Sequence, residues 1–162
     1  MKFIDENSLN RLNFKELLSR VDIFSAYGKN KLNNVQNFLV GEEEKLEEEF
    51  ERMQKILDFI SVNKKEEMEI EIILHRLKDI KKLVENTKAN IILDTVDLFE
   101  IKTQLMAMAD LNSCLKKNKE VFSNFILKDL DELFKILDPN NEKIATFYIY
   151  ESYSVILKEI SR

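Results

Sequence analysis

Residues that could do chemistry are scarce in this sequence. Its 162 residues include two Gly, one Pro, one His and one Cys, and no Trp. A phosphate-binding loop of the G-x-x-x-x-G-K-[ST] form needs two closely spaced glycines, whereas Gly28 and Gly41 lie too far apart. The sequence therefore excludes ATP hydrolysis by that route, and the scarcity predicts a chain without an active site of its own.

His75 and Cys114 are the side chains best suited to acid–base or nucleophilic catalysis. No nucleophile or carboxylate at a fixed spacing marks His75 as a catalytic base, so a partly exposed or interface histidine is the simpler interpretation. Cys114 lies near Leu111 and Leu115, where a small buried hydrophobe is the simpler role. One His and one Cys cannot supply a four-ligand zinc site without carboxylates. We therefore predict no catalytic, cofactor-binding or metal-ligating residue.

Glutamates at positions 42–44 and 47–49 suggest either a metal site or a solvated helix face. A ferritin-like di-iron centre needs Glu-x-x-His motifs that project into a helical bundle. Glu71 precedes His75 by four residues rather than three, and the sequence has no second His. We expect a solvated helix face.

A small basic cluster and an aromatic cluster remain as candidates for nucleic-acid contact. The clusters consist of Lys116, Lys117 and Lys119, and of Phe147, Tyr148 and Tyr150. The lysines could contact phosphate or stabilise the negative end of a helix dipole, and the aromatic rings could stack on bases or pack in a core. The net charge of the chain is −5, whereas duplex-binding domains typically carry an excess of basic residues. We expect the dipole and packing roles.

Composition favours one domain of amphipathic helices. Apolar residues make up 44% of the chain and charged residues 34%, which suits several helices around a shared core. A single cysteine cannot form an internal disulfide, and charge interrupts the N-terminal residues too early for a signal peptide. No apolar run approaches the ~20 residues of a membrane span. We expect a soluble, cytoplasmic protein.

Apolar spacing predicts an all-α fold, with a bundle-like core of about six to seven helices. Six helices are predicted in chain order. The first begins near Ser8, the second spans 26–38, and the third extends from Gly41 to a polar break at 62–67. The fourth spans 68–87, the fifth extends from Asp94 or Thr95 to Lys117, and the sixth spans 120–137. The clearest apolar seam has steps of four and three, formed by Leu46, Phe50, Met53, Leu57 and Ile60. On its wet face we expect the ion pairs Glu48–Arg52 and Glu51–Lys55.

The segment Asp138-Pro139-Asn140-Asn141 is the strongest turn signal and predicts a boundary between a helical core at 1–138 and a segment 139–162. The second segment belongs either to the same domain or to its continuation. Aromatic and β-branched residues at 146–150 predict a short extended segment. Ser152 is the expected cap of a last helix from Tyr153 onward, the start of a further element.

Five segments in order resemble those of MutS-family DNA mismatch repair proteins. The first, Ser25-Ala26-Tyr27-Gly28-Lys29-Asn30-Lys31-Leu32, resembles the T-x-x-G-[KR]-R-x-L element that opens the helical core, or lever, domain. Residues 51–57 resemble the arginine-containing R-x-x-A-V-x-x-L helix, and residues 77–83 resemble the L-x-D-[IL]-[ER] helix. Residues 98–105 resemble an apolar helix, and residues 149–160 resemble the element that launches the lever helix. The sequence departs from the family pattern at Ser25, Asn30 and Ser152.

The resemblance implies the N-terminal part of the helical core domain, from the shorter MutS-related branch that lacks the mismatch-reading domain. In that family the core couples an ATPase module to a DNA clamp, so the implied role is in mismatch repair or recombination control. ATP and Mg would bind the parent protein rather than this chain, and the implied partners are the remaining clamp and ATPase domains, with DNA and dimer contacts made by the parent. The alternative is a free-standing helical protein–protein interaction module with a groove around Phe99 and Met106.

Overall fold

The computed structural model describes residues 11–34, 38–146, 149–154, 156 and 159. Within these ranges the chain contains α-helices, short 3₁₀ turns and loops, and no strand. The helices are α1 (Phe14–Ser19), α2 (Ala26–Asn33), α3 (Glu43–Val62), α4 (Lys64–Arg76), α5 (Lys81–Lys88), α6 (Thr95–Lys117), α7 (Lys119–Phe122) and α8 (Asp131–Leu137). The predicted all-α fold with several helices around a core is confirmed.

Helix α6 is the central element, and its start follows directly from sequence. The Asp94 carboxylate accepts the backbone N–H groups of Val96 and Asp97, and the Asp97 carboxylate accepts the N–H of Asp94. This reciprocal arrangement satisfies N–H groups that the first helical turn leaves without partners. The predicted start and end of this helix are therefore confirmed.

The apolar core lies where α4, α6 and α7 meet. Its buried members are Ile73, Leu111, Cys114, Leu115 and Phe122. Helix α3 joins this core through Ile56 and Phe59, and the Phe59 and Phe122 rings meet edge to face with centroids 5.2 Å apart. Edge-to-face pairing of aromatic rings stabilises the fold beyond the burial of their surface. Ile56 and Phe59 therefore attach α3 to the core, whereas Phe50 is exposed.

The prediction of one helix over 68–87 is wrong, because the chain leaves the helix between α4 and α5. Leu77 has extended backbone (φ −74°, ψ 117°), and the Lys78 N–H donates to Gln104 Oε1 at 2.9 Å. The Asp79 carboxylate then accepts the N–H of Lys81, at the start of α5. Polar side chains thus replace the helical hydrogen bonds and stabilise the break, although the apolar periodicity continues through it.

The prediction of one helix over 120–137 is wrong for the same reason. A 3₁₀ turn at Ser123–Phe125 follows α7, and the backbone is extended at Ile126. The half-buried N–H of Leu127 donates to Asn112 Oδ1 of α6 at 2.9 Å. Asp129 then accepts the N–H of Asp131, where α8 begins.

Other element boundaries differ by smaller amounts. The predicted polar break at 62–67 is confined to Asn63, and α2 ends at Asn33 rather than at Phe38. Helix α1 begins at Phe14 after Asn13, whose φ is +50°. Arg11, before it, is also helical, and Ser8, where we expect the first helix to begin, lies outside the described residues. Ser154 Oγ, rather than the expected Ser152, accepts the N–H of Ile156.

The predicted turn at 138–141 is present, since the Asn141 N–H donates to the Asp138 carbonyl oxygen at 2.9 Å. Of the predicted extended segment, Tyr150 has extended backbone (φ −74°, ψ 140°), and Phe147 and Tyr148 lie outside the described residues. Among the described helices, none combines the length and apolar character needed to span a bilayer.

Candidate functional site

A buried network of three polar side chains joins α6 to the last described segment. Lys102 Nζ donates to Asp138 Oδ1 at 3.2 Å and to the Tyr150 hydroxyl at 3.4 Å. The Tyr150 hydroxyl donates to the same Asp138 oxygen at 3.1 Å. The Lys102 and Asp138 side chains are fully buried, and Tyr150 is almost so. We call these three residues the Lys–Asp–Tyr network.

The network satisfies the carboxylate of Asp138 on both oxygens. Asp138 Oδ2 accepts the backbone N–H of Lys143 at 2.8 Å, while Oδ1 accepts from Lys102 and Tyr150. Burial alone would raise the pKa of Asp138 and is the largest single influence on it. The hydrogen bonds together outweigh burial, so the pKa of Asp138 lies below its usual value and the carboxylate is ionised.

Local sequence explains how three distant positions meet. The turn after Asp138 brings the Lys143 N–H back to its carboxylate, with Asn141 and Lys143 both at positive φ (+54° and +53°). Non-glycine residues adopt this backbone rarely and at a cost. The hydrogen bond to Asp138 offsets that cost at Lys143.

The ring of Tyr150 makes further contacts besides the hydrogen bonds of its hydroxyl. Its ring and that of Tyr153 meet edge to face, with centroids 5.5 Å apart, and Lys102 Nζ lies 5.9 Å from the Tyr150 ring centroid. Burial raises the pKa of Tyr153. Lys102 of α6 therefore holds segment 149–154 through a hydrogen bond and a cation–ring contact, while the Tyr150–Tyr153 ring contact lies within the segment.

An open groove with a volume of about 920 Å³ runs beside the network, between α6 and α8. Leu105, Met106 and Phe134 supply apolar lining, and Asp138 borders it. Four lysines in the same lining form no ion pair with any described residue: Lys116, Lys128, Lys135 and Lys143. The sequence predicts a partner-binding groove around Phe99 and Met106. The groove observed here includes Met106 in its lining but not Phe99.

The Lys–Asp–Tyr network is not among the sites predicted from the sequence. Asp138 was interpreted only as a turn residue, and Lys102 was not singled out. One signal was available: Lys102 lies four residues after Leu98 and three before Leu105, on the apolar face of the long helix. A charged side chain at such a position needs a buried partner of opposite charge.

His75 lies on the surface, with more than half of its side chain exposed. Its ring packs against Phe24 at 5.2 Å between centroids, and its Nε2 is 3.9 Å from Glu71 Oε1. These contacts suit a surface histidine that covers an aromatic ring.

Cys114 is part of the apolar core, in agreement with its predicted packing role. Burial, followed by the neighbouring Glu69, raises the pKa of its thiol above the usual value. A raised pKa lowers the fraction of reactive thiolate.

Three glutamates of the 42–49 cluster, Glu42, Glu43 and Glu49, make local contacts. Glu42 accepts from Lys45 at 2.8 Å and from the Leu39 N–H at 3.0 Å, and these bonds lower its pKa. Within the described residues, no group of three or more His, Cys, Asp or Glu is placed to hold a metal ion. The expected pairs Glu48–Arg52 and Glu51–Lys55 are replaced by Arg52–Glu49 at 2.6 Å.

The lysines at 116, 117 and 119 lie exposed at the junction of α6 and α7. Of the aromatic cluster, Tyr150 packs inside the protein as described above.

Comparisons with known proteins return no match: no protein-family model, no curated protein and no solved structure resembles this chain significantly. We therefore infer function from the sequence segments and from the contacts between them.

Proposed function

We propose that this chain is a non-catalytic helical core, or lever, segment of a MutS-like DNA repair ATPase. Its role is to couple an ATPase module to DNA-clamping parts of the parent protein, in mismatch repair or recombination control. ATP and Mg bind elsewhere in the parent, and DNA is contacted through the parent.

The observation that carries this proposal is that the segments resembling the family contact one another. Lys102, in segment 98–105, binds Tyr150, in segment 149–160, across 48 positions of sequence. Asn30 Nδ2, in segment 25–32, lies 3.3 Å from Asp79 Oδ2, in segment 77–83. Four of the five segments thus form two contacting pairs in the folded chain, which supports treating them as parts of one unit.

The first segment also has a physical requirement for its glycine. Ser25 caps α2 by accepting the Gly28 N–H at 3.1 Å. A Cβ at position 28 would lie 2.8 Å from Ile23 Cγ2 and 3.2 Å from Ser25 Oγ. The S-x-x-G spacing is therefore a cap combined with a close approach, which supports treating it as a structural motif.

Stiffness supports a coupling role. Helix α6 has 23 residues and spans about 35 Å at 1.5 Å per residue. It contacts the core at one end and the Lys–Asp–Tyr network nearer its start, and close-packed interiors transmit displacement. A displacement of segment 149–154 would therefore reach the core through α6.

The test uses the native polypeptide that carries this sequence, purified from its source cells. We expect it to contain a P-loop ATPase region and to hydrolyse ATP faster with duplex DNA present. Tyr150→Phe should reduce the DNA-stimulated rate about 2- to 30-fold, which corresponds to 0.5–2 kcal/mol of coupling, and leave the basal rate unchanged. Tyr153→Phe is the matched control. ATP turnover by the 162-residue chain alone, or a native polypeptide without an ATPase region, would overturn the proposal.

The second candidate function is a free-standing helical interaction module. The groove between α6 and α8 favours it, because Met106 and Met108 line an open, adaptable surface. A native polypeptide that lacks an ATPase region and retains this groove would favour the module over the lever segment.

A further inference from the structure

Helix α3 carries an apolar seam that the described fold does not use. Phe50, Met53 and Leu57 are 56%, 43% and 55% exposed, although they form the centre of the clearest apolar seam in the sequence. We call these three residues the exposed seam. The sequence predicts that the ion pairs of α3, and not this apolar seam, face solvent, and the exposure of the seam corrects that prediction.

A different stripe of α3 holds the helix in place. Ile56 and Phe59 pack against the core, and the Phe59 ring contacts Phe122. On a helix of 3.6 residues per turn, this stripe lies about a third of a turn from the exposed seam. The exposed seam is therefore additional to what the described core requires.

The exposed seam, continued by the half-buried Leu46 and Ile60, has a spacing that suits a helix as its partner. Leu46, Phe50, Met53, Leu57 and Ile60 alternate steps of four and three, which is the a/d repeat of helices that pair side by side. These five positions span about two heptads on a regular helix of 20 residues. A helical partner could insert apolar side chains along its length.

Charge defines which helix fits. On the side of the seam away from the core, helical geometry places Glu43, Glu47, Glu51 and Asp58 together with Gln54 and Ser61, and no Lys or Arg. We call the four carboxylates the acidic flank. None of them forms an ion pair with a described residue, although Asp58 accepts from Gln54 and Glu43 from the Gly41 N–H. The hydrogen bond to Glu43 lowers its pKa.

We propose that the exposed seam binds an amphipathic helix of another polypeptide, whose apolar stripe is bordered by Lys or Arg. Such a helix places cations against the acidic flank and apolar side chains against Phe50, Met53 and Leu57. A second copy of this chain fits less well, because an antiparallel copy of α3 would bring two acidic flanks to the same side. This surface is independent of the proposed coupling role.

The test uses the full chain and two synthetic helical peptides about three heptads long. One has Leu at a and d with Lys at e and g, and the other has Glu in place of each Lys. Fluorescence anisotropy at low salt should give at least tenfold tighter binding of the Lys peptide, and the preference should weaken as salt screens the charges. Double substitution Glu47→Lys and Glu51→Lys should reverse the preference.

Two controls separate the seam from general charge attraction. Phe50→Ser with Leu57→Ser keeps every charge and should abolish binding, whereas Ile136→Ser, at a 64% exposed residue of α8, should leave binding unchanged. Circular dichroism confirms that each variant folds. Equal affinity for both peptides, or binding that survives the Phe50/Leu57 double variant, overturns the proposal. Dimers of the chain alone that this double variant abolishes would instead identify a second copy as the occupant.

Discussion

Lys102 Nζ lies 3.2 Å from Asp138 Oδ1, and both side chains are fully shielded from solvent. Each charge would be costly to bury alone, because the protein interior solvates ions poorly. The Tyr150 hydroxyl and the Lys143 N–H supply the remaining hydrogen bonds to the carboxylate. We therefore expect the pair to specify how α6, the turn after α8 and segment 149–154 fit together, more than it adds net stability.

Removal of one member of this pair should destabilise the chain strongly. Lys102→Met leaves Asp138 as an unpaired buried charge, and we expect it to lower the free energy of unfolding by about 3–5 kcal/mol. The double variant Lys102→Met, Asp138→Leu removes both charges and should recover most of that loss. Urea denaturation of the four proteins in this double-mutant cycle measures the coupling. Additive effects of the two substitutions would show that the pair is not coupled.

Acid should weaken the same network. Because the pKa of Asp138 in the folded chain lies below its unfolded value, its contribution is present above about pH 4 and is lost as the pH falls through the folded pKa. Unfolding free energy measured between about pH 5 and pH 2 should therefore fall less steeply in Asp138→Asn than in the unmodified chain. Asp58→Asn, at an exposed carboxylate, is the matched control and should keep the steep dependence. An unchanged slope in Asp138→Asn would contradict the lowered pKa.

Two amide side chains of α6 should control the loops that interrupt the neighbouring helices. Gln104→Ala leaves the Lys78 N–H without its acceptor, and Asn112→Ala does the same to the Leu127 N–H. Each loss should cost about 1–3 kcal/mol, since a partly buried donor is left unsatisfied.

Hydrogen exchange distinguishes this effect from general destabilisation. The Lys78 amide should exchange faster in Gln104→Ala and the Leu127 amide faster in Asn112→Ala, each beyond the change in global stability. Gln54→Ala, at an exposed residue of α3, is the control and should change neither amide. Equal protection of Lys78 in the Gln104→Ala variant would show that the hydrogen bond does not hold the break.

The two loops show which parts of the fold could not be predicted from the sequence. Helix α6 was predictable because Asp94 and Asp97 are local signals, and Cys114 was predictable because its neighbours are apolar. The breaks at 77–80 and 126–130 were not, because Gln104 and Asn112 act from 26 and 15 positions away. Apolar periodicity continues through both breaks, so it cannot show where backbone hydrogen bonds change partner.

In the candidate site too, the local features were predictable from the sequence and the contacts between distant residues were not. Asp138 was predicted as part of a turn from its local sequence, and the turn is present. Its pairing with Lys102 and Tyr150 depends on three segments that meet only in the folded chain. The exposed seam, in contrast, was visible in the sequence, but periodicity alone could not indicate which of two adjacent stripes on α3 faces the core.

Cys114 should react slowly with thiol reagents. The thiol is buried, and burial and Glu69 raise its pKa, so the reactive thiolate is scarce at neutral pH. We expect labelling by a disulfide reagent to proceed much more slowly than in the urea-unfolded chain, and to accelerate in Phe122→Ala, which opens the adjacent core. Ile136→Ser, on the exposed face of α8, should leave the rate unchanged. Labelling of the folded chain as fast as that of the unfolded chain would contradict the burial of this residue.

Gly28→Ala should reveal the close approach in the S-x-x-G segment. Alanine gains about 1 kcal/mol over glycine in a helix, but its Cβ would lie 2.8 Å from Ile23 Cγ2. Because a β-branched methyl group cannot move far, we expect a net loss of about 1 kcal/mol, within the usual cost of overpacking. In an Ile23→Ala background the obstructing methyl is absent, so the same Gly28→Ala substitution should stabilise the chain. Thermal denaturation of the four proteins measures this reversal of sign, and a stabilising effect in both backgrounds would show that Gly28 is not required by packing.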